Sequence, residues 1–397
     1  MAASYATFDT AGKTPTFQDT HGDDIPMKKR ESAFLKRVLP QQVDDVPVKW
    51  SRRTLLCTLI VVIICILAES WVMITEAELR AALVYVFSDD NWMVGAANSN
   101  FKVSTTYHAV FQASFVFWMF MTYDAIKYYN LVQVIACNFY IAGLFVYSLL
   151  QIVQIKRDTQ EFTDADYPIV TGSFLASLVT LPCVIALYAP VFAYLTRRLH
   201  HDFGWRIFRI AGGNRTIDKA FMHYHIFLLF LKFSMFFLVG FTVIGLVLTQ
   251  VSQHGIAIIA ISIALAAFIA PLIGYLGVRR ESATLMTLFM FCYLGLIAFV
   301  GERVWAGFTR NNGAMVETTK LDENGDTTVT TIKLDEFERA KIPFSMYAVV
   351  GILLLIGAMV WGGICWSNFG KGLKQTFEFD AARKNGEYVK PDEDLDC

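Results

Sequence analysis

Residues 54–74 read TLLCTLIVVIICILAESWVMI, an apolar run broken by a single charge, Glu69. Crossing a hydrocarbon core about 30 Å thick takes roughly 20 residues of helix, because a helix rises about 1.5 Å per residue. It also bonds its own backbone groups where no water is available to do so. Runs of the same character recur at 104–124, 131–154, 170–195, 224–250, 255–277, 284–304 and 344–366. They predict an all-α membrane protein, a bundle of about eight transmembrane helices occupying 54–366. Pro182, Pro190 and Pro271 fall inside the fourth and sixth runs. Each removes a backbone donor, a loss that packed neighbouring helices tolerate through a local bend.

Composition agrees. The chain is 55% hydrophobic and 17% charged, against about 25% charged in soluble domains, and its mean hydropathy is +0.45. These values exclude a soluble enzyme held by one anchor. Residues 1–53 mix Thr, Asp, Gly, Pro and Lys without helical or strand period and carry a basic patch at Lys28, Lys29, Arg30, Lys36 and Arg37. They read as a disordered cytosolic tail with no cleavable signal peptide, so the first span serves as its own insertion signal.

Lys and Arg concentrate on the cytosolic side of a membrane protein. With eight spans and a cytosolic N-terminus, 23 Lys and Arg fall on the cytosolic side and 10 on the other, with Lys232 inside a span. The expected topology has both termini cytosolic. From Trp366 at the edge of the last span, Phe369, Leu373 and Phe377 of the cytosolic tail at 367–397 follow at helical spacing, beside Lys371 and Lys374. That pattern suits an interfacial helix lying in the headgroup region.

The loop at 305–342 is the one sizeable non-cytosolic feature. Met315 to Leu321 and Thr327 to Leu334 are Thr- and Val-rich runs flanking Asn324-Gly325, a pair that accepts positive φ. A short lumenal β-hairpin is expected there. Asp322, Asn324 and Asp326 open like a calcium loop, but Thr327 replaces the required Gly and Lys333 the closing Glu.

No phosphate-binding glycine loop, nucleophile elbow, HExxH motif or zinc-spaced Cys/His cluster is present. We therefore expect no enzyme activity, no cofactor, no metal and no nucleic-acid partner. His200-His201 and His223-x-His225 read as interfacial histidines, since side chains two apart on a helix diverge by about 200°. Six cysteines lie in apolar runs and Cys397 ends the chain, so no structural disulfide is expected. The sequon Asn214-Arg215-Thr216 falls on the cytosolic side of the expected topology.

A charge inside a span costs about 2.5–3.5 kcal/mol at its centre unless it finds a partner or water. Glu69, Asp124, Lys232 and the adjacent Glu302 and Arg303 therefore matter, together with His108. Glu69 lies five residues before the end of the first span and His108 about four inside the start of the second. Their depths match. Asp124 and Lys232 approach the opposite face at similar depth, which predicts an ion pair between the second and fifth spans. Such contacts either fasten helices or line a path for a proton or solute.

Four blocks carry a family resemblance: Tyr123-Asp124-Ala125-Ile126 running into Asn130-Leu131-Val132-Gln133-Val134-Ile135; Gly204-Trp205-Arg206 with Arg209-Ile210-Ala211-Gly212; Phe230-Leu231-Lys232-Phe233 running to Gly240-Phe241; and Asn368-Phe369-Gly370-Lys371-Gly372-Leu373-Lys374. In order and spacing they resemble a fungal family of multi-pass Golgi-apparatus membrane proteins of uncharacterised function. The resemblance implies a Golgi address and supplies no reaction. Where that family carries an acidic residue after the Lys-Phe pair, this chain has Ser234 and Met235. Two readings of function follow. One is a membrane scaffold or trafficking-related protein whose tails and basic 197–219 loop contact membrane lipids or cytosolic trafficking proteins. The other is a transporter or channel for a small solute or ion. No internal repeat or matched pair of broken helices favours the second, and a receptor would need seven spans and an outside N-terminus.

Overall fold

A computed structural model describes residues 48–88, 91–158, 172–210, 215–248, 253–309, 314–321, 327–334 and 336–370. Eight helices follow in order: α1 (Val48–Val86), α2 (Asn91–Lys127), α3 (Leu131–Asp158), α4 (Gly172–Ile210), α5 (Arg215–Leu248), α6 (Gln253–Arg279), α7 (Ala283–Thr309) and α8 (Glu336–Ser367). Two strands, β1 (Ala314–Leu321) and β2 (Thr327–Leu334), lie between α7 and α8 and pair antiparallel, with Ala314 opposite Leu334 and Leu321 opposite Thr327. The Asn324-Gly325 turn, its would-be calcium ligands, most of the N-terminal tail and the stretch from Lys371 onward lie outside the described residues.

Among the described residues, seven helices are long and apolar enough to cross a membrane, and the described apolar part of α6 is Ala266–Arg279. Each apolar run of the sequence lies within a helix or overruns it by a residue or two. The helices overrun most of the apolar runs. α1 has 39 residues, about 58 Å of helix, nearly twice the hydrocarbon thickness. Its last three turns and the first three of α2 extend beyond the apolar runs at 54–74 and 104–124, packing Leu83 against Ala96 and Ala97. Likewise the described parts of 197–219, expected as a loop, are helical. α4 continues to Ile210 and α5 begins at Arg215, and Leu199 and Phe203 on that extension bury against Ala125, Ile126 and Val134. Polar residues on these outer turns interrupt hydropathy without breaking the helix, because helix needs only propensity and a packed face. The helical start at Val48 trims the expected tail at 1–53, and α7 and α8 together trim the 305–342 loop.

The bundle has two groups of four. Val62 and Cys65 of α1, Phe111, Phe115 and Trp118 of α2, Cys137 and Ile141 of α3, and Leu181 and Phe192 of α4 form one core. The second joins α5 to α8 through Phe227, Ala270, Phe289, Tyr293 and Leu355, and takes in Val103, Tyr107 and Val110 of α2. Lipid tails are as apolar as leucine, so close packing and polar contacts, not hydrophobicity, hold such helices together. Thr58 meets Tyr188 at 3.0 Å between α1 and α4, Asn138 Nδ2 donates to Thr196 Oγ1 at 2.9 Å between α3 and α4, and Ser234 meets Tyr293 at 3.0 Å between α5 and α7. A Cβ on Gly240 of α5 would lie 2.7 Å from the Tyr347 ring of α8. Glycine there allows the two helices their approach. The six cysteines from Cys57 to Cys365 are free.

Candidate functional site

Among the described residues, the charged side chains that meet between different helices gather in two clusters, one at each end of the bundle. At the first, α2 ends in a turn whose Tyr129 has φ 53°, in the left-handed region. Asn130 N then donates to Ala125 O at 2.8 Å, and Asn130 Oδ1 accepts from Gln133 N at 3.2 Å, capping α3. This cap sets Gln133, fully buried, beneath Asp124. Gln133 Nε2 donates to Met121 O at 2.8 Å and Asp124 Oδ2 at 2.9 Å, while its Oε1 accepts from Lys232 Nζ at 2.9 Å. Lys232 Nζ also donates to Asp124 Oδ2. One carboxylate, one ammonium and one amide thus join α2, α3 and α5. The two charged side chains keep 15% and 24% exposure, enough to reach water at the bundle end.

The second cluster lies at the other end. His108 Nδ1 of α2 is 2.6 Å from Glu69 Oε1 of α1, and its Nε2 is 3.0 Å from Glu76 Oε2. Glu76 follows Glu69 by two turns, so both project from one face of α1 and hold the ring between them. Gln151 Nε2 of α3 is 2.9 Å from both Glu69 Oε1 and His108 Nδ1. Glu69 and His108 are buried, and Glu69 Oε2 has no hydrogen-bond partner. Each contact between a ring nitrogen and a carboxyl oxygen requires a proton between them. The imidazole and its two carboxyls therefore share at least two protons.

Depth in the sequence pairs Glu69 with His108 and Asp124 with Lys232, and the structure brings both pairs together. It adds Glu76, Gln133 and Gln151, which sequence reasoning missed. Gln133 stands in one of the family-like blocks and Glu76 sits two turns past Glu69, so both had a signal, whereas Gln151 is a neutral residue near the end of an apolar run. Glu302 and Arg303 pair with each other within α7, Nε 2.8 Å from Oε2 and both side chains more than a third exposed, and the guanidinium lies 5.3 Å from the Phe299 ring centre. A solvent-facing pair of this kind contributes little. His200 and His201 are exposed, and His225 packs on Phe221 with ring centres 4.4 Å apart. Among the described residues no group of His, Cys, Asp or Glu is arranged to hold a metal ion.

Along α2 the clusters stand sixteen residues apart, from His108 to Asp124, roughly 24 Å. The inward face between them is mostly apolar, with Phe111, Phe115, Trp118 and Met121 buried, and the buried Ser114 and Thr122 hydroxyls donate to Val110 O and Trp118 O of the same helix. Beside this face a cavity of about 390 Å³ opens between α3 and α8, with walls that include Phe139, Gly143 and Tyr147 of α3, Phe233 and Phe237 of α5, and Tyr347 of α8.

No protein-family model matches the chain, and no solved structure matches it. Over 283 residues it is 20% identical to a UPF0658 Golgi apparatus membrane protein of Schizosaccharomyces pombe, an alignment covering 65% of this chain and 74% of that relative. Similarity over most of the chain to a fungal Golgi membrane protein agrees with the resemblance carried by the four sequence blocks, that of an uncharacterised multi-pass membrane protein family.

Proposed function

We propose that this chain is a Golgi membrane scaffold or trafficking-related protein, with no enzymatic activity, whose intramembrane charges fasten helices. The observation that carries this reading is the separation of its two polar clusters. Asp124, Gln133 and Lys232 bond to one another at one end, and Glu69, Glu76, His108 and Gln151 at the other. The face of α2 between them is mostly apolar, and its buried Ser114 and Thr122 hydroxyls bond to carbonyls of α2 itself. A conducting protein would be expected to join such clusters by polar groups or water. The Golgi address rests on the similar fungal protein.

The topology belongs to the same proposal: eight spans, both termini in the cytosol, and β1 and β2 in the lumen. The excess of Lys and Arg supports it. Cations lie on aromatic rings at both ends, as at two headgroup levels: Arg53 4.9 Å from the Trp50 ring centre, Lys127 5.5 Å from Tyr128 and Arg198 5.1 Å from Tyr194 at the Asp124 end, and Arg80 5.0 Å from Phe101 and Arg303 5.3 Å from Phe299 at the other. Rings of this kind sit at headgroup level, where Arg and Lys also meet anionic lipid. The Asp124 end is where membrane lipids and cytosolic trafficking proteins would dock.

A transporter or channel is the second reading, favoured by the unpartnered Glu69 Oε2. Purification of the intact protein in mild detergent, with identification of what accompanies it, chooses between the two. The scaffold reading expects cytosolic trafficking proteins in fixed ratio to the chain. Proton or solute flux in sealed proteoliposomes, abolished by Glu69→Gln, would overturn it.

A further inference from the structure

We propose that the cavity between α3 and α8 is a binding site for one acyl chain of a membrane phospholipid. Its volume of about 390 Å³ falls in the range of small-molecule pockets, about 300–1,000 Å³. Its position decides the chemistry of the occupant. On α3 it runs from Ala136 to Tyr147, between Gln133 of one polar cluster and Gln151 of the other. Those glutamines stand eighteen residues apart, roughly 27 Å, which is close to the hydrocarbon thickness of about 30 Å. The cavity therefore lies at the depth where the surroundings are lipid tails.

The walls suit a hydrocarbon chain. They are mostly aromatic and aliphatic, and two of the hydroxyls among them are engaged: Ser114 Oγ donates to Val110 O at 3.1 Å, and Tyr140 OH to Ser114 O at 3.2 Å. The eleven steps from Ala136 to Tyr147 extend roughly 16 Å, about half the hydrocarbon thickness, the reach of one leaflet's tails. Phe139 at the α3 lip is three-quarters exposed, so the cavity is open sideways to the bilayer. Gly143 leaves the wall hollow, since a Cβ there would meet nothing within 4 Å. Filling that hollow by a tail gains dispersion contacts that an unfilled gap forfeits.

The test uses the full chain in nanodiscs of phosphatidylcholine carrying a diazirine on one acyl chain, irradiated, digested and mapped by mass spectrometry. Adducts should be enriched several-fold on the wall residues of α3 and α8 over the lipid-facing Phe291 and Leu294 of α7. Gly143→Phe, which fills the cavity, should remove that enrichment. Gly295→Phe should keep it, because Gly295 also meets nothing within 4 Å but lies away from the cavity. Even labelling of all exposed faces in the unaltered protein would overturn the proposal, whether or not the Gly143 variant folds. Undiminished enrichment in a folded Gly143→Phe protein would overturn it as well.

Discussion

Lys232 of α5 and Asp124 of α2 meet at the contact between the two four-helix groups, and Gln133 of α3 bonds to both. Three helices from two cores are tied by one triangle of polar atoms at the end of the bundle. The arrangement satisfies the ammonium and the carboxylate within the protein, yet leaves each a narrow route to water. Its members should act as a unit.

Gln133→Leu keeps the volume near constant and strands three partners. Asp124 loses a donor, Lys232 an acceptor and Met121 O a second bond. Thermal unfolding in detergent should show a loss of about 1–3 kcal/mol, the cost of leaving buried or charged groups unsatisfied. A stability unchanged from the parent would show that the amide carries no weight.

His108→Ala leaves Glu69 and Glu76 facing one another's space without the ring that joins them. Removing one partner of a buried ionic contact costs about 3–5 kcal/mol. Adding Glu69→Gln should restore a good part of this, because the fully buried carboxylate is then neutral and the one left without the ring, Glu76, keeps some exposure. The same unfolding assay reads both variants, and a double variant less stable than His108→Ala would contradict this account.

At Gly240, substitution by Leu forces a side chain against the Tyr347 ring, where even a Cβ would come within 2.7 Å. Overpacking of this kind costs about 1–3 kcal/mol. Tyr347→Ala should relieve part of the loss in the double variant, as expected of residues that touch. Equal losses in the presence and absence of the ring would mean the strain lies elsewhere.

Protease added to sealed vesicles should cleave tags at both termini and spare a tag placed between β1 and β2. Protection of the C-terminal tag would reverse the proposed orientation.

Hydropathy made the helices legible, because twenty apolar residues in lipid leave the backbone no other choice. It was blind to the outer turns of α1, α2 and α4, where Thr75 to Val86, Asn91 to Val103 and Thr196 to Ile210 are helical but mixed in character. Depth counting located Glu69 beside His108 and Asp124 beside Lys232, since rise per residue is fixed. The neighbours Gln133 and Gln151 escaped because neutral amides disturb hydropathy little. Which faces meet is also hard to read from periodicity, as a helix bathed in lipid is apolar all round. The extended contact of α5 with α8 became visible only with Gly240 set against Tyr347.

The central claim is that Asp124 and Lys232 fasten the two helix groups to each other, and a double-mutant cycle tests it most directly. Thermal unfolding would be measured for the parent, Asp124→Asn, Lys232→Met and the double variant in one detergent. The account predicts that the double variant is more stable than the sum of the single losses implies, with a coupling of about 1–3 kcal/mol. Strict additivity of the two substitutions would contradict it.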